Sequence, residues 1–111
     1  MDSYKIKLNA RAFKDIDRIF EYIALEKLAS ENAQGQTDRI WKALKSLELF
    51  PQSHQMRNEG RYAGQGYRQL IIDNYIAIFK IDESIKTVYV VTVQYQGKLL
   101  LILPKSTAQL V

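Results

Sequence analysis

The chain has 111 residues, 47% of them hydrophobic and 25% charged, with a net charge of +4. These values describe one ordinary globular domain, long enough to bury a core without cross-links. With no cysteine and one histidine, disulfides, thiolate catalysis and cysteine- or histidine-pair metal sites are excluded.

Tyr4, Ile6 and Leu8 alternate with Lys5 and Lys7, the period of a short half-buried strand. Asn9 then suits a helix N-cap, because its side-chain oxygen can accept from a free N–H one turn on. Phe13, Ile16, Ile19, Phe20, Ile23 and Ala24 recur at helical spacing and predict a helix over 10–27. Its opposite face carries Lys14, Asp15, Arg18 and Glu21, with Arg18 able to pair with Asp15 or with the neighbours of Asp17. Ser30 is a second N-cap candidate for a helix over 31–49 that buries Ala33, Thr37, Ile40, Trp41, Leu44 and Leu47. Trp41 is expected to anchor the helices on the sheet. Pro51 ends this helix. Two amphipathic helices joined by a few residues form an antiparallel hairpin.

Residues 51–66 show neither helical nor strand period, and a loop of this length is often functional. Strands are predicted over 67–72, 75–81 and 87–95. Asp73-Asn74 is a two-residue hairpin turn, since both types tolerate positive φ. The tail from Leu99 to Pro104 is apolar with little pattern. The order strand, helix, helix, then three strands indicates an α+β fold: an N-terminal strand, an antiparallel helical hairpin on one sheet face, and a three-stranded antiparallel meander. The other sheet face is left open for a ligand or partner.

No apolar run is long enough to span a bilayer, and the N-terminus lacks the apolar segment of a signal peptide, so a cytosolic protein with no membrane partner is expected. Charge is unevenly spread. Residues 1–56 hold nine basic and eight acidic side chains, whereas 57–111 hold seven basic and four acidic. A basic second half suits an acidic or polyanionic partner.

Arg68 opens the first strand of the meander, and its guanidinium fork suits anionic oxygens. Arg57 and Arg61 precede it in the loop, interleaved with Tyr62 and Tyr67, a pattern suited to stacking and phosphate contact with single-stranded RNA. With Lys80 these form a candidate nucleic-acid-binding set: Arg57, Arg61, Tyr62, Tyr67, Arg68 and Lys80. His54 reads as a surface residue, Tyr95 as core or half-core, and Lys80 and Lys98 on their own as solvated lysines. Carboxylates are scattered without a pair at a useful spacing. No metal or cofactor is expected.

Taken together, these segments resemble the RelE/ParE toxins of bacterial type II toxin–antitoxin systems. The first helix, Ala12 to Ile23, is similar to that family's first helix, and Ile40 to Leu49 before Phe50-Pro51 to its second. Gly66-Tyr67-Arg68, Tyr75 to Asp82 and Val88 to Val91 are similar to its sheet. The resemblance covers roughly residues 3–98, which implies a toxin domain over 1–98 and an additional tail over 99–111. It further implies a toxin held inactive by a cognate antitoxin. RelE-like members are ribosome-dependent mRNA endonucleases, and ParE-like members poison DNA gyrase.

Carried over residue by residue, Arg68 matches the arginine that stabilises charge on the scissile phosphate in the nuclease branch. Arg61 lies near that branch's basic cluster, where the family uses lysines; arginine stabilises charge but is too basic to act as a general base. Tyr95 and Lys98 match in spacing an aromatic or histidine followed by arginine. The further C-terminal tyrosine of the nuclease branch has no counterpart among Leu99 to Val111. The implied catalytic set is Arg68, Arg61, Tyr95 and Lys98. Three activities follow as expectations: metal-independent mRNA cleavage on the ribosome, gyrase inhibition without chemistry, or a decayed toxin that only binds antitoxin. The antitoxin is expected to present an acidic, amphipathic segment to the basic second half.

Overall fold

The first strand, β1 (Lys5–Leu8), turns Ile6 and Leu8 towards the core and leaves Lys5 and Lys7 exposed. These coordinates come from a computed structural model, which describes residues 3–26 and 29–96. Asn9 caps α1 (Ala10–Glu21) as its residue type suggests: Asn9 Oδ1 accepts from the Ala12 N–H at 2.9 Å. The α-helix stops at Glu21, short of the expected 27, and continues as a wider π turn over Tyr22–Glu26. The second helix, α2 (Ser30–Lys45), begins with Ala29 at its cap, so Ser30 is the first helical residue and not the cap. A 3₁₀ turn over Ser46–Glu48 finishes it, and Phe50 takes a left-handed φ of 53° before Pro51.

Three strands follow among the described residues: β2 (Arg68–Ile72), β3 (Tyr75–Asp82) and β4 (Thr87–Tyr95). They pair antiparallel in succession, and Asp73 in the first turn has φ 56°, as an Asp-Asn hairpin turn requires. Sheet order is β1-β4-β3-β2. β1 lies parallel to β4, with Lys5 opposite Thr87 and Leu8 opposite Val90. Parallel neighbours cannot be joined by a tight turn, and here both helices and two strands intervene.

One irregularity decides which β4 side chains reach the core. Ile78 pairs with Thr92 but Phe79 with Val90, which leaves Val91 as the extra residue of a β-bulge. Strict alternation would send Val88 and Val90 to one face and Val93 to the other. With the bulge, all three are buried in the core with Tyr75, Ala77 and Phe79 of β3 and Leu70 and Ile72 of β2. The helices supply Ala12, Ile16, Ile40 and Leu44, and Leu47 follows from the terminal turn.

Two helical positions differ from their sequence reading. Trp41 does not anchor the hairpin on the sheet: it is 40% exposed and packs on the half-exposed Phe13, ring centroids 5.7 Å apart. The pair therefore joins α1 to α2 on the outside. Asp15 is not a solvated residue paired with Arg18. Its carboxylate accepts from the Thr92 hydroxyl and from the Val93 N–H at 3.0 Å, with Arg11 Nε at 4.0 Å. Elsewhere, Arg39 Nε and Gln36 Nε2 both donate to Asp73 Oδ2, at 2.8 and 2.9 Å, and tie α2 to the β2–β3 turn.

Candidate functional site

The loop between α2 and β2 follows the free edge of the sheet. Met56 bridges Arg68, the Gln69 N–H donates to the Gln55 carbonyl at 3.0 Å, and the Arg57 N–H to the Tyr67 carbonyl at 2.8 Å. The segment 55–57 thus runs antiparallel to the start of β2, as a short extra edge. Gly66, at φ 86°, makes the sharp entry into β2, and a Cβ there would stand 3.5 Å from Lys80 Cε. The turn lays Tyr67 against Lys80, whose Nζ is 5.0 Å from the ring centroid.

Most of the expected nucleic-acid set converges here. Tyr62 meets Tyr67 edge to face at 4.9 Å, and the Arg61 guanidinium lies 5.9 Å from the Tyr62 ring. Arg57 Nη1 donates to Gln69 Oε1 at 3.0 Å, while its Nε is buried with no hydrogen-bond partner among the described residues. Gln69 and Lys80 alternate with core residues, so both belong to the sheet face turned away from the helices. Arg57, Arg61, Tyr62, Tyr67 and Lys80 therefore form one cationic and aromatic cluster on that face and its rim.

Arg68 stands apart from it. It pairs with Phe79, one residue before Lys80, and shares the helix-side face with Leu70 and Ile72. There its Nη1 donates to the His54 carbonyl at 2.7 Å, and the His54 ring meets Phe79 edge-on at 5.9 Å. Tyr95 is farther still. It pairs with Tyr75, and their rings are 5.5 Å apart. Burial pushes the Tyr75 hydroxyl above its ordinary pKa, helped by Tyr95 and Tyr22. Tyr75 and Phe79 are four positions apart on β3, so Tyr95 and Arg68 are separated by roughly 13 Å along the strand direction. Arg68, Arg61 and Tyr95 are not brought to one point, and Lys98 lies outside the described residues.

Two neighbours of the cluster escaped the sequence reading. Tyr89 is opposite Lys80 on β4, and Lys7 is opposite Tyr89 on β1. Nothing local marks them; only the long-range pairing puts them beside Lys80. Among the described residues, no group of three or more His, Cys, Asp or Glu side chains is placed to hold a metal. No helix there is long and apolar enough to cross a membrane.

A helical hairpin on one face of this mixed sheet is the architecture of the RelE/ParE-like toxins, and solved structures share it. The chromosomal ParDE toxin–antitoxin system of Pseudomonas aeruginosa matches with a TM-score of 0.69 at 19% identity, covering 86% of this chain and 98% of that one. An archaeal RelE–RelB complex of Pyrococcus horikoshii gives 0.59 at 14% identity, covering 86% and 98%. A mutant Escherichia coli toxin RelE in the free state gives 0.60 at 12% identity, covering 88% of each chain. No curated protein sequence matches the chain. Over residues 6–100 it matches the family described as the ParE toxin of the type II toxin–antitoxin system parDE, and it belongs to that family.

Proposed function

We propose that this toxin arrests growth by binding and inhibiting DNA gyrase, without chemistry of its own. The observation that carries the reading is the separation of Arg68 from Tyr95. A transferring phosphate must lie within about 3 Å of each group that acts on it, and these two lie on β2 and β4, with β3 between them and roughly 13 Å apart along the strand direction. Arg68 is also engaged with the His54 carbonyl. The match to ParE toxins supports the same choice. In this reading a cognate antitoxin neutralises the toxin through an acidic, amphipathic segment, which complements the basic second half of the chain.

Purified toxin titrated into a gyrase supercoiling reaction tests the reading. Supercoiling is expected to fall with toxin and to recover on addition of antitoxin, while primer extension on ribosome-bound mRNA shows intact transcripts. Normal supercoiling at saturating toxin would sink the gyrase reading, and new toxin-dependent cuts in mRNA would replace it with cleavage. Expression without antitoxin that leaves growth unaffected would leave only antitoxin binding.

A further inference from the structure

We infer that the sheet face turned away from the helices binds single-stranded nucleic acid, along the row Lys7, Tyr89, Lys80, Tyr67 and Arg57. The inference goes beyond gyrase inhibition and does not depend on it. The register builds the row. Lys7 pairs with Tyr89, and Tyr89 with Lys80. Arg68 pairs with Phe79, which places Tyr67, the preceding residue, beside Lys80. The Lys80–Tyr67 contact and the Arg57–Tyr67 backbone bond complete it. Each strand residue in the row is flanked by neighbours on the core side, Ile6 and Leu8, Val88 and Val90, Phe79 and Ile81, so all point away from the helices.

The order along the row is cation, ring, cation, ring, cation. Four strand-to-strand steps give it a length of about 19 Å, room for the two or three bases that a sheet of this size stacks on aromatic side chains. Tyr62 and Arg61 continue the alternation past the edge of the sheet. A nucleic acid strand carries the matching sequence of charged phosphates and flat bases. An acidic peptide would use the cations and leave the rings idle.

Acid placement sets the direction. Asp82 is the one carboxylate residue within the four strands, and it accepts from the Ser84 N–H and hydroxyl in its own turn. With Glu83 it borders the cleft of about 330 Å³ beside Lys80 and Tyr89. That side repels phosphates, so the bound strand crosses the sheet along the row and does not run down the strands towards Asp82.

The test is fluorescence anisotropy of a labelled oligothymidylate of about twelve nucleotides, with the whole chain, over a range of salt. Four phosphate contacts, from Lys7, Lys80, Arg57 and Arg61, predict a log–log salt slope of about −3, since each contributes about −0.7 on single strands. Tyr67→Ala and Tyr89→Ala should each weaken binding roughly 10-fold, while the phenylalanine variants keep it. Lys7→Gln, an exposed change on an edge strand that leaves the core intact, should lower the slope by about 0.7. A duplex of the same length should bind more weakly. Absence of binding at low salt overturns the inference. So does unchanged affinity in both alanine variants, or displacement of the oligonucleotide by an equally charged polyglutamate at equal concentration, which would make the face a general acidic-peptide surface.

Discussion

The carboxylate of Asp15 on α1 takes the place of a fifth strand beside Val93, accepting the Val93 N–H at 3.0 Å together with the Thr92 hydroxyl. β1 ends at Leu8, opposite Val90, so it cannot reach this part of the β4 edge. The side chain of a helix satisfies a donor that would otherwise be stranded under that helix.

Asp15→Ala is therefore expected to destabilise the fold by about 1–3 kcal/mol, the cost of a polar group left buried without a partner. Asp15→Asn keeps an acceptor oxygen and should cost less. Urea unfolding monitored by circular dichroism measures both, and equal, negligible effects would show that water replaces the carboxylate.

The Phe13–Trp41 pair and Ile40 give a contrast within one helix turn. Ile40 is fully buried, and Ile40→Ala should cost about 2–5 kcal/mol. Trp41→Ala removes a larger side chain but only a half-exposed ring contact, and should cost about 1 kcal/mol. Trp41 is the sole tryptophan, so Phe13→Ala should shift its fluorescence emission to the red without unfolding the protein.

Asp73 makes stability depend on acid. Its hydrogen bonds from Arg39 first, then Gln36, hold its pKa below the ordinary 3.8. A lowered carboxylate pKa contributes stability above the unfolded value, and this is lost as pH falls through the folded value. Asp73→Asn should therefore weaken the protein at neutral pH by about 0.2–1 kcal/mol, the range for an exposed pair. Wild type and variant should converge below pH 3.8, and added salt should narrow the neutral gap. A gap that persists in acid would assign the effect to something other than charge.

Arg68 offers a test between the gyrase reading and cleavage of mRNA. In the gyrase reading its guanidinium is a clasp on the His54 carbonyl, and Arg68→Ala should cost about 1–2 kcal/mol while growth arrest persists. Loss of arrest in a variant as stable as wild type would instead make Arg68 a group that acts on the target.

Local chemistry made most elements legible in the sequence. Asn9 as a cap, the Asp73 turn and the strand positions follow from residues within a few places of each other. What was hidden depends on distant partners. Asp15 looks like any helix-surface acid until β4 lies under it. Trp41 fits the apolar stripe, yet it packs on Phe13 at the outside of the two helices. Alternation alone could not place Val93 in the core, because it carries no mark of the extra residue at Val91. The site divided along the same line. Arg57, Arg61, Tyr62 and Tyr67 cluster because they are near in sequence, while Lys7 and Tyr89 join only through pairing across the chain. Arg68 is one step of strand alternation from Tyr67, which sends its side chain to the opposite face.

The parallel pairing of β1 with β4 also bears on synthesis. β1 is made before the strand it pairs with and has no neighbour in the sheet until Thr87 to Val90 follow, although the two helices can form earlier. A message truncated ahead of those codons yields a chain with β1 unpaired and with Val88, Val90 and Val93 missing from its core. The sheet therefore closes only when β4 is made, since that strand alone joins β1 to β3.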